Sequence, residues 1–163
     1  MSIVNGSDDD WLLDDSEKVE ALQGMSGICP WKILIVDDEP DVHSMTRLAL
    51  RDMHYRERSL ELLSAYSAKE GFSMLVENPD VAIVLLDVVM ETDNAGLLLA
   101  ARIREELGNQ LVRIVLRTGQ PGQAPEEEVI VEYDINDYKS KTELTARKLF
   151  VMVIASLRTY ESL

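Results

Sequence analysis

Cysteine occurs once in these 163 residues, at Cys29, so no internal disulfide is available and the chain suits a reducing compartment. No apolar run approaches the roughly 18 residues of a membrane span, and no stretch has the layout of a signal peptide. Bases are scarce. The 16 Lys and Arg face 30 Asp and Glu, for a formal net charge of −14. A nucleic-acid surface needs concentrated Lys and Arg to displace counterions, so direct nucleic-acid binding is disfavoured. No internal repeat is visible, and no Gly-rich phosphate-binding turn follows the first strand, which argues against a dinucleotide site. These absences predict a cytoplasmic protein with no membrane contact whose output runs through other proteins.

The length fits one domain with a sizeable core. Residues 1–30 hold seven acids and one lysine, are rich in Gly, Ser and Asp, and show no sustained periodicity. They read as an acidic N-terminal extension ending at Pro30, with Trp11, Leu12 and Leu13 set between acidic clusters. From Trp31 the pattern alternates. Strands are expected at Ile33 to Val36, Leu60 to Tyr66, Val81 to Leu86, Leu111 to Leu116 and Ile135 to Lys139. Helices are expected from Pro40, over Ala68 to Glu77, Ala95 to Leu107, Glu126 to about Tyr133, and Thr142 to Tyr160. Five strands alternating with five helices imply an α/β, flavodoxin-like three-layer sandwich with a five-stranded parallel sheet of order 2-1-3-4-5.

Four of these runs end in reactive polar residues: ILIV before Asp37 and Asp38, AIVLL before Asp87, RIVLR before Thr118, and INDYKS before Lys141. In a parallel sheet the carboxyl ends of all strands collect along one edge, so the four runs supply one pocket. Clustered carboxylates repel one another unless a cation lies between them, and Mg²⁺ prefers oxygen ligands of this kind. Taken singly, each residue has a plainer role. Asp37, Asp38 or Glu39 suits a helix cap, Thr118 a turn, and Tyr138 a half-buried strand position. His43 and His54 lie far in sequence from any matching ligand and suit surface or packing roles.

In the order and spacing of these motifs the chain resembles the receiver domain of two-component response regulators, from about Trp31 to Tyr160. The resemblance implies that Asp87 takes a phosphoryl group from a sensor histidine kinase or phosphotransfer protein. It implies further that Asp38, Asp87 and the backbone carbonyl of Val89 ligate Mg²⁺, with Asp37 helping through water. Lys141 would pair with Asp87 before transfer and with the phosphoryl group afterward. Lys139 competes for that role, but the receiver pattern sets the lysine three residues beyond the aromatic Tyr138. Thr118 and Tyr138 would be the switch pair that changes the face made by the fourth helix, fifth strand and fifth helix. The chain departs from the usual pattern where Thr142, not Pro, follows Lys141, and where Glu91 and Thr92 occupy a turn that is commonly Pro-Gly.

The last helix carries an apolar run from Leu149 to Ala155, too apolar all round for a helix with one face in water, which suggests a homodimer through that helix. Residues 161–163 read as the start of a connector to an output domain. The segments EPDVHSMTRLALRD and LRTGQPGQAPEEEVI are similar to a receiver subgroup that heads larger proteins, some with HD-type phosphodiesterase domains acting on cyclic dinucleotides. Two other readings stand beside the switch. One is an interaction domain independent of phosphorylation. The other is a Mg²⁺-dependent phosphohydrolase, for which Val89 stands where a second Asp is usual.

Overall fold

The computed structural model describes residues 29–119, 127–141 and 145–163. Most of the acidic extension, residues 120–126 after Gly119 and the Thr142 position lie outside the described residues, as do the side chains of Tyr138 and Ser140. Strands β1 (Trp31–Val36), β2 (His54–Tyr55), β3 (Arg58–Ala65), β4 (Val81–Asp87), β5 (Arg113–Thr118) and β6 (Ile135–Ser140) form one sheet in the order β2-β3-β1-β4-β5-β6. All pairings but β2–β3 are parallel. Without β2, the order is the one expected, in the flavodoxin-like architecture.

The core explains the layers. Successive side chains of a strand point to opposite faces, and the central strands are apolar on both. Leu34, Val36, Val84, Leu86, Ile114 and Leu116 face one side. They pack against Leu75 of helix α2 (Ala68–Glu77) and against Leu99 and Ile103 of α3 (Ala95–Glu105). Ile33, Ile35, Ile83, Leu85 and Val115 face the other side. Their partners are Leu50 of α1 (Pro40–Leu50) and Leu149, Met152, Val153 and Leu157 of α5 (Ala146–Ser162). Helix α4 (Glu127–Glu132) precedes β6. Burial of two such faces, at about 25 cal/mol per Å² of apolar surface, drives the sandwich together.

Two expectations need correction. The sheet has a sixth strand: β2 forms a hairpin with β3 through Arg56 and Glu57, both in the left-handed region at φ 52° and 64°. Hairpin turns of this type normally use Asn or Gly, so the sequence gives no signal for it. Tertiary contacts hold it instead. The Trp31 indole N–H donates to the Tyr55 carbonyl at 3.0 Å, and the Arg58 guanidinium lies 3.4 Å from the Trp31 ring centroid. The last helix begins at Ala146, where the Thr145 hydroxyl caps it by accepting from the Lys148 amide. It runs through Ser162, so residues 161 and 162 continue that helix. Helix α1 buries His43, Thr46 and Leu50, and leaves Met45 and Leu48 about 70% exposed. No helix among the described residues is long and apolar enough to cross a membrane.

Candidate functional site

β1, β4, β5 and β6 deliver Asp37, Asp87, Thr118 and Lys141 to the same edge. Asp37 directly follows β1; its amide donates to the Ala65 carbonyl at the end of β3. Its carboxylate Oδ1 accepts from the Glu39 amide at 2.9 Å, a local turn that aims the acidic run back over the sheet. Of the three cap candidates, Glu39 takes the N-cap position of α1, but its side chain makes no cap hydrogen bond. His43 is buried in a packing role. Its Nε2 lies 2.7 Å from the Asp37 carbonyl oxygen and its Nδ1 2.9 Å from Ser64 Oγ, so it braces the turn that carries the acid. His54 lies apart and is exposed.

Lys141 is the centre of the arrangement. Its Nζ lies 3.1 Å from Asp37 Oδ2, 3.0 Å from Glu39 Oε1 and 3.3 Å from Asp87 Oδ2. Lys139 stays on the side, paired with Asp137 at 3.8 Å. The Lys141 amide donates to the Thr118 carbonyl at 2.6 Å, which pins the end of β6 to the end of β5. Burial works against the Lys141 charge, but hydrogen bonds to Glu39 and Asp37 and the nearby Asp87 hold its proton affinity above the ordinary lysine value. Thr118 is fully buried.

Asp87 is 4% exposed. Burial, with the like charge of Asp37, pushes its carboxyl up to about 6, while Lys141 and the Val89 amide, which donates to it, pull the other way. Asp38 is exposed and groups with Asp37 and Glu39, each offering a carboxylate oxygen within 4.8 Å of the others. Asp37 Oδ2 is buried and, though near Lys141, accepts no directed hydrogen bond. Clustered hard oxygens, an orphaned buried carboxylate oxygen and a strained Asp87 charge are the donor set and the electrostatic deficit that a Mg²⁺ ion fits.

Three contributors were missed in the sequence. Glu39 reads there only as a helix-cap candidate, not as a partner of Lys141. Glu91, in the turn after Asp87, accepts from the amides of Ala68 and Lys69 at 2.9 and 3.3 Å and so caps α2. Burial opposes its charge, but these amides hold its carboxyl below the ordinary range. Gly96 lets α3 lie against the strand: a Cβ there would stand 2.0 Å from the Asp87 carbonyl oxygen. A glycine two residues after Asn94 carries no such message without the fold.

Comparison with known proteins gives a consistent result. The response regulator receiver domain family matches residues 33–153. A 3'3'-cGAMP-specific phosphodiesterase 2 of Vibrio cholerae is 53% identical over 134 residues, 82% of this chain but only 26% of that protein. The chain thus spans about a quarter of the curated relative it matches. Among solved structures, the N-terminal domain of a response regulator/sensory box/GGDEF protein from Carboxydothermus hydrogenoformans superposes with a TM-score of 0.67 at 21% identity, covering 80% of this chain and 97% of that one. The signal receiver domain of an HD domain-containing protein from Pseudomonas fluorescens gives 0.64 at 20%, covering 82% and 99%.

Proposed function

Because this chain belongs to the response regulator receiver domain family of two-component signalling, we propose that it is a phosphoryl-accepting switch with Asp87 as the acceptor. The supporting observation is the convergence of Lys141 on Asp37, Glu39 and Asp87, an ammonium held by carboxylates from separate elements at one sheet edge. A carboxylate oxygen of Asp87 attacks phosphorus of a phosphohistidine on a sensor histidine kinase or phosphotransfer protein. The P–N bond breaks, an acyl phosphate forms, and the imidazole leaves with a proton. Asp37, Asp38, Asp87 and the Val89 carbonyl would hold Mg²⁺, which offsets negative charge on the phosphoryl oxygens. Lys141 then exchanges its Asp87 contact for a phosphoryl oxygen, and the Thr118 hydroxyl donates to the same group.

The added charge of about −1.5 to −2 draws on Thr118 and Lys141, which are already tied through the backbone bond between them. The response reaches the face of α4, β6 and α5, with Tyr138 as second switch residue. The exposed Phe150 and Val151 of α5 offer a surface for a homodimer. By its likeness to the Vibrio cholerae enzyme, the domain controls a downstream output acting on a cyclic dinucleotide, in the cytoplasm. Self-directed phosphotransfer and dephosphorylation are the only chemistry assigned to the domain itself.

Intact mass after incubation with Mg²⁺ and acetyl phosphate tests the switch. A phosphoryl adduct that needs the metal and is absent in D87A is the expected result. Absence of any adduct, with beryllofluoride also failing to bind, would favour an interaction domain independent of phosphorylation. Continuous release of phosphate from unrelated phosphomonoesters would favour the phosphohydrolase reading.

A further inference from the structure

Arg117 is the residue that the switch chemistry leaves unexplained. It precedes Thr118 on β5, and its side chain turns to the α1 and α5 side of the sheet, where it lines a cavity of about 650 Å³ with Val42, Thr46, Ala49, Lys141 and Leu149. The residue is 4% exposed. Nη1 donates to Thr46 Oγ1 at 2.8 Å, and Thr46 is fixed in turn by donating to the Val42 carbonyl at 2.7 Å. Nε and Nη2 are buried without an acceptor. These two atoms form one edge of the guanidinium fork, the edge that pairs side-on with an oxyanion.

A buried cation with an idle fork is costly unless an opposite charge compensates it. Arg117 is the cross-strand register partner of Asp87 on β4 and lines the same cavity as Lys141, which sets its charge beside the acids; Asp37 and Asp87 counter the effect of its burial. Asp37 Oδ2 is itself buried and, though near Lys141, accepts no directed hydrogen bond. The acidic cluster contains Asp37, Asp38, Glu39 and Asp87, against the single ammonium of Lys141. The excess of negative charge is what draws a divalent cation.

We propose that Arg117 is a built-in counter-cation beside the phosphoacceptor site, supporting the acid cluster without metal and lowering its affinity for Mg²⁺. The inference rests on the reading that this cluster takes Mg²⁺. A fixed guanidinium inside the protein is screened far less by salt than a surface arginine, so its effect persists at physiological ionic strength. Lys141 can follow the phosphoryl group; Arg117, held by Thr46, stays and keeps its influence on the acids in both states.

The test is calorimetric titration of the full chain with MgCl₂, comparing wild type, R117Q and R117K, with Tm measured in chelator and in Mg²⁺. R117Q keeps a donor for Thr46 but removes the charge, and is expected to bind Mg²⁺ about tenfold tighter. Its Tm gain on adding Mg²⁺ widens accordingly. R117K stays within about twofold of wild type. Equal or weaker affinity in R117Q overturns the inference and leaves the switch reading intact. Absence of Mg²⁺ binding in all three overturns it together with the Mg²⁺ reading, whereas the phosphoryl adduct reports on the switch separately. Should R117Q be unfolded in chelator, refolding by Mg²⁺ supports the counter-cation role, and failure to refold at saturating Mg²⁺ overturns it.

Discussion

Lys141 Nζ lies 3.3 Å from Asp87 Oδ2, an ion pair across the carboxyl edge of the sheet. The pair is mostly shielded from water, at 15% and 5% side-chain exposure. Removing the ammonium leaves Asp37, Glu39 and Asp87 facing one another. K141M is expected to lose about 1–3 kcal/mol of stability in chelator, with part of the loss restored by Mg²⁺. Urea denaturation with and without the metal measures both terms. Equal stability of K141M and wild type in chelator would show the contact to be neutral.

The Asp87 carboxyl, pushed up to about 6 by burial and Asp37, sets a pH dependence. With an unfolded value near 3.8, the folded state binds more protons between pH 4 and 6, so this residue's contribution to stability declines as pH rises through that window. At neutral pH the ionised acid is a net burden. D87N should therefore stabilise the metal-free protein by about 1–2 kcal/mol at pH 7.5, with little or no gain at pH 4. Denaturant midpoints at the two pH values, in chelator, decide it.

Gly96 has no room for a side chain, because the Asp87 carbonyl oxygen would stand 2.0 Å from its Cβ. G96A must push α3 away from the end of β4. A destabilisation of about 2–3 kcal/mol is expected, together with slower phosphorylation because the loop after Asp87 is displaced. Thermal denaturation and adduct kinetics would both have to be unchanged for this reading to fail.

Glu91 couples the turn after Asp87 to the amino end of α2 through the Ala68 and Lys69 amides. E91A should cost about 1 kcal/mol. Because the Glu91 carboxyl is held below its ordinary range, its contribution is present at neutral pH and lost as pH falls below the usual carboxylate values. Amide exchange at Ala68 and Lys69 should accelerate in the variant; unchanged protection would count against the cap.

The alternation of strands and helices, the parallel order and the four strand-end motifs were legible because each depends on local pattern. Strand β4 is apolar on both faces and so announces a central position, and Asp87 follows where that run stops. Pro40 marks the start of α1 in the same way. Hairpin β2–β3 was not legible, since Arg56 and Glu57 adopt positive φ only with Trp31, Arg58 and the sheet edge packed around them.

Hydrophobic period and strand direction are enough to give the fold class and to say which acids, hydroxyl and lysine lie at strand ends. Packing between remote segments is what makes Glu39 share Lys141, Glu91 cap a helix it does not belong to, Gly96 lack room for a side chain, and Arg117 lie buried with one edge unpaired. Each of these depends on a distance between segments remote in sequence. Such distances follow from how the two helical layers pack on the sheet, which no local periodicity encodes.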